Sequence, residues 1–155
     1  GAPPAVHGVS GNYYLDRDSG REIMMLDASL MRAPTVLAGF AHAGATVAAV
    51  TAKDKLRKAL GHDLDGIAVS AETAHTATLA EHGIDDLTVL VGRPTPDQYS
   101  ADLSLYVLDA GIRLIETRRP DLLYLSLSDY VQHRHAPGTP EAKAFMHAVD
   151  LRFAR

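Results

Sequence analysis

Leu122-Leu123-Tyr124-Leu125-Ser126-Leu127 runs directly into Ser128-Asp129-Tyr130-Val131-Gln132-His133, and this junction decides the fold. The apolar run, which we extend over residues 121–127, has the composition of a strand buried on both faces of a parallel sheet. In open α/β sheets ligands gather just beyond the carboxyl ends of the strands, where Asp129 lies. His133 follows four residues later, on the same side of a turn. The junction therefore predicts half of a metal site.

Both side chains also have ordinary uses outside metal sites. Aspartate often caps a helix, and histidine often occupies a polar surface. His135 is a third candidate, but two residues after His133 it would face elsewhere on a helix. We expect His135 to lie outside the metal's direct ligands or on the surface.

On either side of the junction, strand patterns alternate with helix patterns. Two short strands, 12–15 and 22–26, flank a turn, and residues 71–91 fit no single pattern. This alternation predicts an α/β fold with a mainly parallel sheet flanked by helices. The remaining predicted strands are 46–51 and 67–70, and two predicted helices are 34–44 and 53–60. A long helix is predicted to begin at Pro96 with Thr95 as its cap, and a final helix at Pro140 with Thr139 as its cap.

The composition limits the kinds of function to consider. The 155 residues are 46% hydrophobic and 22% charged, as in a globular domain with a core. A net charge of −4 argues against nucleic acid and acidic membranes as partners, because both attract clustered Lys and Arg. The chain has no cysteine, so a metal would need His, Asp or Glu ligands. No apolar run approaches the roughly 20 residues of a membrane span. We expect a cytoplasmic protein that acts on a small molecule.

Three stretches, taken in order, resemble one enzyme family. They are residues 1–12, residues 50–57 with the sequence VTAKDKLR, and DYVQH at 129–133 with APG at 136–138. Together they resemble the phosphonoacetate hydrolases, a family of the alkaline phosphatase superfamily close to the nucleotide pyrophosphatases/phosphodiesterases. The Lys-Asp-Lys motif is the part that is specific to phosphonoacetate. The likeness extends over nearly the whole chain.

The resemblance implies an alkaline-phosphatase-like fold and a two-zinc site in which a threonine attacks phosphorus. Phosphonoacetate would be split into acetate and phosphate through a phosphoenzyme. Asp129 and His133 match two of the three ligands of one zinc ion. Asn12 matches a residue that binds a phosphoryl oxygen, and Lys53 and Lys55 match the lysines that bind the substrate carboxylate.

We therefore interpret residues 1–155 as the central part of one catalytic domain. The family's nucleophilic threonine and first metal-binding aspartate would lie upstream of Gly1. Its remaining zinc ligands would lie beyond Arg155. We expect no catalysis by these residues alone, because two protein ligands rarely hold zinc tightly.

The candidate substrate residues also have structural interpretations. Asn12 follows a glycine, as turn residues often do, and the two lysines would suit a solvated helix face. Residues two apart on a regular helix do not share a face. Lys53 and Lys55 can therefore bind one carboxylate only from a loop or an irregular first turn. For His7, packing beside Gly8 and contact with substrate both stay open.

Two other functions fit the same residues. A phosphodiesterase or nucleotide pyrophosphatase of the superfamily would leave the lysines without a carboxylate to bind. A catalytically inactive binding module would keep the scaffold alone. The sequence does not determine the assembly, and a homodimer stays open.

Overall fold

A three-stranded parallel sheet forms the centre of the fold, as the sequence predicts. The computed structural model describes residues 2–26 and 28–155, so Gly1 and Asp27 lie outside the described residues. An antiparallel hairpin, β1 (Tyr13–Asp16) and β2 (Arg21–Met24), precedes the sheet. The sheet contains β3 (Val47–Thr51), β4 (Ile67–Ser70) and β5 (Leu122–Ser126) in the order β4-β3-β5. Val50 of the central strand is level with Val69 and Leu125 of its neighbours.

Helices cover the sheet and occupy most of its connections. The described α-helices are α1 (Pro4–His7), α2 (Val36–His42), α3 (Asp54–Leu60), α4 (Leu79–His82), α5 (Leu87–Val91), α6 (Asp102–Thr117), α7 (Tyr130–Arg134) and α8 (Pro140–Phe153). The predicted cap of α8 is confirmed, because the Thr139 hydroxyl accepts the N–H of Ala142. The helix predicted over 34–44 begins at Val36, and the Thr35 hydroxyl caps it by accepting the N–H of Ala38.

The central strand β3 is buried along its whole length because helices pack on both of its faces. Successive side chains of a strand point to opposite faces. Ala48 and Val50 pack in the larger core cluster, which includes Tyr106 and Val107 of α6. Val47 and Ala49 belong to a second cluster with Leu37 of α2. The small residues of β3 therefore allow two layers of helices to approach the sheet closely.

The prediction that residues 121–127 form a strand buried on both faces is wrong. Within residues 2–26 and 28–155, β5 ends at Ser126 and pairs with β3 alone, and its residues are half-buried or exposed, with Tyr124 38% exposed. One face packs closely on α6, where a Cβ on Gly111 would lie 2.9 Å from a methyl group of Leu125. An apolar run alone does not show how much of a strand its neighbours cover.

The long helix begins later than predicted, at Asp102 instead of Pro96. Thr95 does not cap it; its hydroxyl accepts the backbone N–H of His75 at 3.1 Å. Asp97 accepts the N–H of Tyr99 with its carboxylate, and its carbonyl accepts the Ser100 hydroxyl. Such local side-chain bonds compete with a helical backbone, so residues 95–101 stay in loop and turn conformations.

The undecided segment 71–91 contains a 3₁₀ turn followed by α4 and α5. Each of these short helices begins at a capping side chain, Thr78 and Asp86. Each ends at a glycine in the left-handed region, Gly83 and Gly92. The helices are too short to show a clear period in the sequence.

Those two glycines provide a matched test of packing. Both have positive φ, +73° at Gly83 and +79° at Gly92, but a Cβ on Gly83 would lie 2.4 Å from the Gly66 carbonyl oxygen, while Gly92 faces open space. We expect Gly92→Ala to lower the free energy of unfolding by roughly 1 kcal/mol, the cost of the conformation alone. Gly83→Ala should cost about 3 kcal/mol or more, because backbone must also move. Urea unfolding of both variants measures the difference, and equal losses would contradict the close approach.

Candidate active site

The carboxyl ends of the three parallel strands bring polar residues to one edge of the sheet. Lys53 follows β3, Glu72 follows β4 and Asp129 follows β5. Asp129 therefore lies at the edge where ligands of α/β sheets bind. The N-terminal segment and the β1–β2 hairpin add Asn12 to the region near the end of β3, because Asn12 reaches a lysine of α3.

Lys53 and Lys55 lie at the start of α3, in the irregular first turn from which two residues two apart could reach one carboxylate. Lys53 is the N-cap of α3, with extended backbone at φ −110° and ψ 134°, and Lys55 is the second residue inside the helix. The Thr51 hydroxyl donates to the Lys53 carbonyl at 2.8 Å. The carboxylate of Glu72 accepts the N–H of Asp54 at 2.8 Å. These bonds fix the turn from two neighbouring strands, so both lysines can face one cavity.

A cavity of about 640 Å³ lies beside this turn. Its polar lining comes from Asn12, Lys53, Lys55 and His7, and the structure thus brings together all the predicted substrate residues. The rest of its wall is mainly apolar, formed by Ala2, Val9, Met25, Met31, Ala33, Pro34, Leu56 and Ala59, together with Gly11. Apolar walls with a few convergent polar groups are typical of small-molecule sites.

Asn12 and Lys55 are in direct contact. The ammonium group of Lys55 donates to Oδ1 of Asn12 at 3.0 Å. The Asn12 carbonyl accepts the N–H of Met25 at 2.9 Å, which ties the residue to the end of the hairpin. Lysine only donates, so the amide atom that faces Lys55 must be the oxygen. The amide NH₂ of Asn12 is left to donate to another group.

Two residues that the sequence did not indicate contact Lys53. Its ammonium group lies 3.8 Å from Glu72 and 5.3 Å from the centre of the Tyr99 ring. Glu72 also accepts a hydrogen bond from the Gln98 amide. Glu72 could have been found from the sequence, since it follows the end of a predicted strand. Tyr99 lies in a loop, and no local signal marks it.

Helix α3 is anchored by the buried Arg57, which pairs with two carboxylates. Arg57 is only 6% exposed and donates to Asp54 at 2.6 Å and to Glu81 at 3.1 Å. Burial would raise the pKa of Asp54, but hydrogen bonds and charges from Arg57 and Lys58 outweigh it, so the pKa is lowered. Asp54 is therefore ionised at neutral pH and holds α3 against β4 through Ser70, whose hydroxyl lies 3.3 Å away.

Asp129 and His133 form a pair at the end of β5, apart from the lysine cavity. Nε2 of His133 lies 2.9 Å from Oδ2 of Asp129, and both side chains are 77% exposed. Two ligands of one tetrahedral zinc ion are about 3.3 Å apart, so a small opening of the pair would admit the metal. Oxygen and nitrogen donors also suit zinc. The pair fits part of a zinc site.

The described residues do not complete that site. Within 2–26 and 28–155, no group of three His, Cys, Asp or Glu side chains could hold a metal ion. His135 is the C-cap residue that follows α7 and lies 3.9 Å from Glu141 of α8. Its place outside the metal's direct ligands stays a prediction.

Comparison with known proteins identifies the family. The model of the type I phosphodiesterase / nucleotide pyrophosphatase family matches residues 1–155. The chain belongs to this family. This family is part of a superfamily of metal-dependent hydrolases, which confirms the predicted superfamily. The predicted α/β fold is confirmed as well.

Two crystal structures of a phosphonoacetate hydrolase from Sinorhizobium meliloti 1021 resemble this family member closely. One contains phosphonoformate and the other phosphonoacetate. Each is 49% identical in sequence to the chain, with a TM-score of 0.92 over 99% of it. The chain spans 38% of the length of each of these structures.

No described helix is both long enough and apolar enough for a membrane span.

Proposed function

We propose that the full-length protein containing these residues is a zinc-dependent phosphonoacetate hydrolase, and that residues 1–155 are part of its single catalytic domain. The observation that carries the proposal is the shared cavity of Asn12, Lys53 and Lys55, in which two ammonium groups and one amide converge. A substrate with a carboxylate at one end and a phosphonate at the other matches this set of groups. The likeness to a phosphonoacetate hydrolase at 49% identity supports the same substrate.

The two lysines would act on the leaving group. A carbanion is a poor leaving group, so the carbon–phosphorus bond is difficult to break. Cleavage is feasible when the electron pair of the bond delocalises into the carboxylate as an enolate-like dianion. Lys53 and Lys55, placed at that carboxylate, would stabilise the charge as it develops. Ammonium groups in a partly apolar cavity act more strongly than in water, because the local dielectric is lower.

Asn12 would orient the other end of the substrate. Its Oδ1 accepts from Lys55, so its NH₂ group is available to donate to a phosphoryl oxygen. The Asn12–Lys55 contact would then fix the distance between the phosphonate and carboxylate positions. A substrate held at both ends has fewer unproductive orientations.

Asp129 and His133 would hold one zinc ion together with a ligand from outside these residues. When bound, zinc ions would activate the nucleophile and offset the charge of the phosphonate. The hydrogen bond between Asp129 and His133 must open for this, because both atoms would donate lone pairs to the metal. We propose that the protein acts in the cytoplasm on a free small-molecule substrate.

The test is a comparison of two substrates on the zinc-loaded full-length protein. We expect equal amounts of acetate and phosphate from phosphonoacetate, with kcat/KM at least about 100-fold above that for bis(4-nitrophenyl) phosphate, which lacks a carboxylate. Faster cleavage of the diester would instead indicate a phosphodiesterase or nucleotide pyrophosphatase. Binding of phosphonoacetate without any hydrolysis would indicate an inactive binding module.

A further inference from the structure

We propose that His7 is an additional substrate-binding residue, whose neutral ring donates a hydrogen bond from Nε2 to an anionic oxygen of the substrate. The inference rests on the proposed function, because it assigns a role in the same cavity. His7 is half-buried and lines that cavity together with Lys53 and Lys55.

The hydrogen bonding of the ring determines which nitrogen carries the proton. Nδ1 of His7 accepts the backbone N–H of Val9 at 3.3 Å. A nitrogen that accepts must carry a lone pair, so the proton of the neutral ring lies on Nε2. No residue among 2–26 and 28–155 forms a hydrogen bond with Nε2. The ring therefore keeps a donor with no protein acceptor in the described structure.

The backbone around His7 is held firmly, so the donor is preorganised. His7 is the last residue of α1, and Gly8 follows with φ +90°. A Cβ on Gly8 would lie 2.3 Å from the Leu30 carbonyl oxygen, which only a glycine permits. The His7 carbonyl also accepts the N–H of Arg32 at 3.0 Å. Two chain segments thus fix the position from which the ring enters the cavity.

A neutral donor complements the two ammonium groups. A carboxylate has about four lone-pair sites, and a phosphonate has more, so two lysines and one amide leave acceptors unsatisfied. His7 can fill one of them without placing a third positive charge in the cavity. The competing interpretation is purely structural: the ring would serve only to hold the turn through its bond to Val9.

Two substitutions separate these interpretations in the full-length protein. His7→Asn keeps an acceptor near the position of Nδ1 but lacks the distal donor, whereas His7→Gln places its NH₂ near the position of Nε2 and loses the near acceptor. We expect His7→Asn to raise KM for phosphonoacetate about 10- to 100-fold, the value of one hydrogen bond to a charged group, with a smaller change in kcat. His7→Gln should stay within about 5-fold of wild type, because it keeps the donor.

The reverse order would overturn the inference. If His7→Gln is the worse variant and also unfolds at a lower temperature, the ring serves the turn and not the substrate. Losses below about 3-fold in both variants would likewise exclude a hydrogen bond to a charged group. Failure of the proposed function is distinguishable, because then the wild-type protein itself would not hydrolyse phosphonoacetate.

Discussion

Replacing Lys53 by alanine is expected to lower kcat/KM for phosphonoacetate by about 100-fold or more, and to lower that for bis(4-nitrophenyl) phosphate less than about 5-fold. The difference arises because only phosphonoacetate develops charge on a carboxylate as the bond to phosphorus breaks. Part of the loss should fall in kcat, since the lysine acts on charge that is greatest in the transition state.

The surroundings of Lys53 should make the loss of kcat/KM larger than the loss of one hydrogen bond to the substrate would be. Lys53 lies 3.8 Å from Glu72, whose carboxylate is fixed by the N–H of Asp54. Without the ammonium group, Glu72 stays near the substrate carboxylate as an unpaired like charge. Repulsion would then add to the missing hydrogen bond.

Lys58→Ala is the matched control for Lys53→Ala. Lys58 lies on the same helix, pairs with Asp54 at 3.2 Å and does not line the cavity. It should affect both substrates equally and by only a few-fold, because Lys58 is 43% exposed and Arg57 still pairs with Asp54. Equal losses on the two substrates in Lys53→Ala would contradict the role of Lys53 at the carboxylate.

The sequence predicted those parts of the fold whose signals are local. Thr139 caps α8 through a bond to the residue three positions later, and the small apolar residues of β3 suit a buried parallel strand. The start of α6 was missed because side chains of Asp97 and Ser100 bond the loop backbone. The exposure of β5 depends on which elements cover it, and a pattern in one strand does not contain that information.

The same distinction holds at the candidate site. The lysine motif indicated where Lys53 and Lys55 lie, and the first-turn constraint followed from helix geometry alone. The contacts of Lys53 with Glu72 and Tyr99 arise only when β4 pairs with β3 and the 95–101 loop folds over the turn. The surroundings of a charged group, which determine how strongly it acts, are therefore tertiary information.

Replacing Asp129 or His133 by alanine is expected to remove one tightly bound zinc ion from the full-length protein. The two side chains are highly exposed, and the contact that orients them is their own hydrogen bond. Each variant would leave one of these two donors and the ligand from outside these residues, and zinc sites need three or four. Zinc affinity at this position should fall by at least about 100-fold, because even changes to groups behind the ligands cost 10- to 100-fold.

Zinc titration by calorimetry, with metal analysis after dialysis, would measure this loss, and His135→Ala is the matched control. His135 is two residues from His133, but it lies beside Glu141 of α8, so its removal should leave zinc stoichiometry and affinity unchanged. Phosphonoacetate cleavage should fall with zinc content in Asp129→Ala and His133→Ala alone. Unchanged binding in both variants would contradict the assignment of Asp129 and His133. A loss in His135→Ala as large as in His133→Ala would indicate that the α7–α8 packing, rather than a specific ligand, supports the metal.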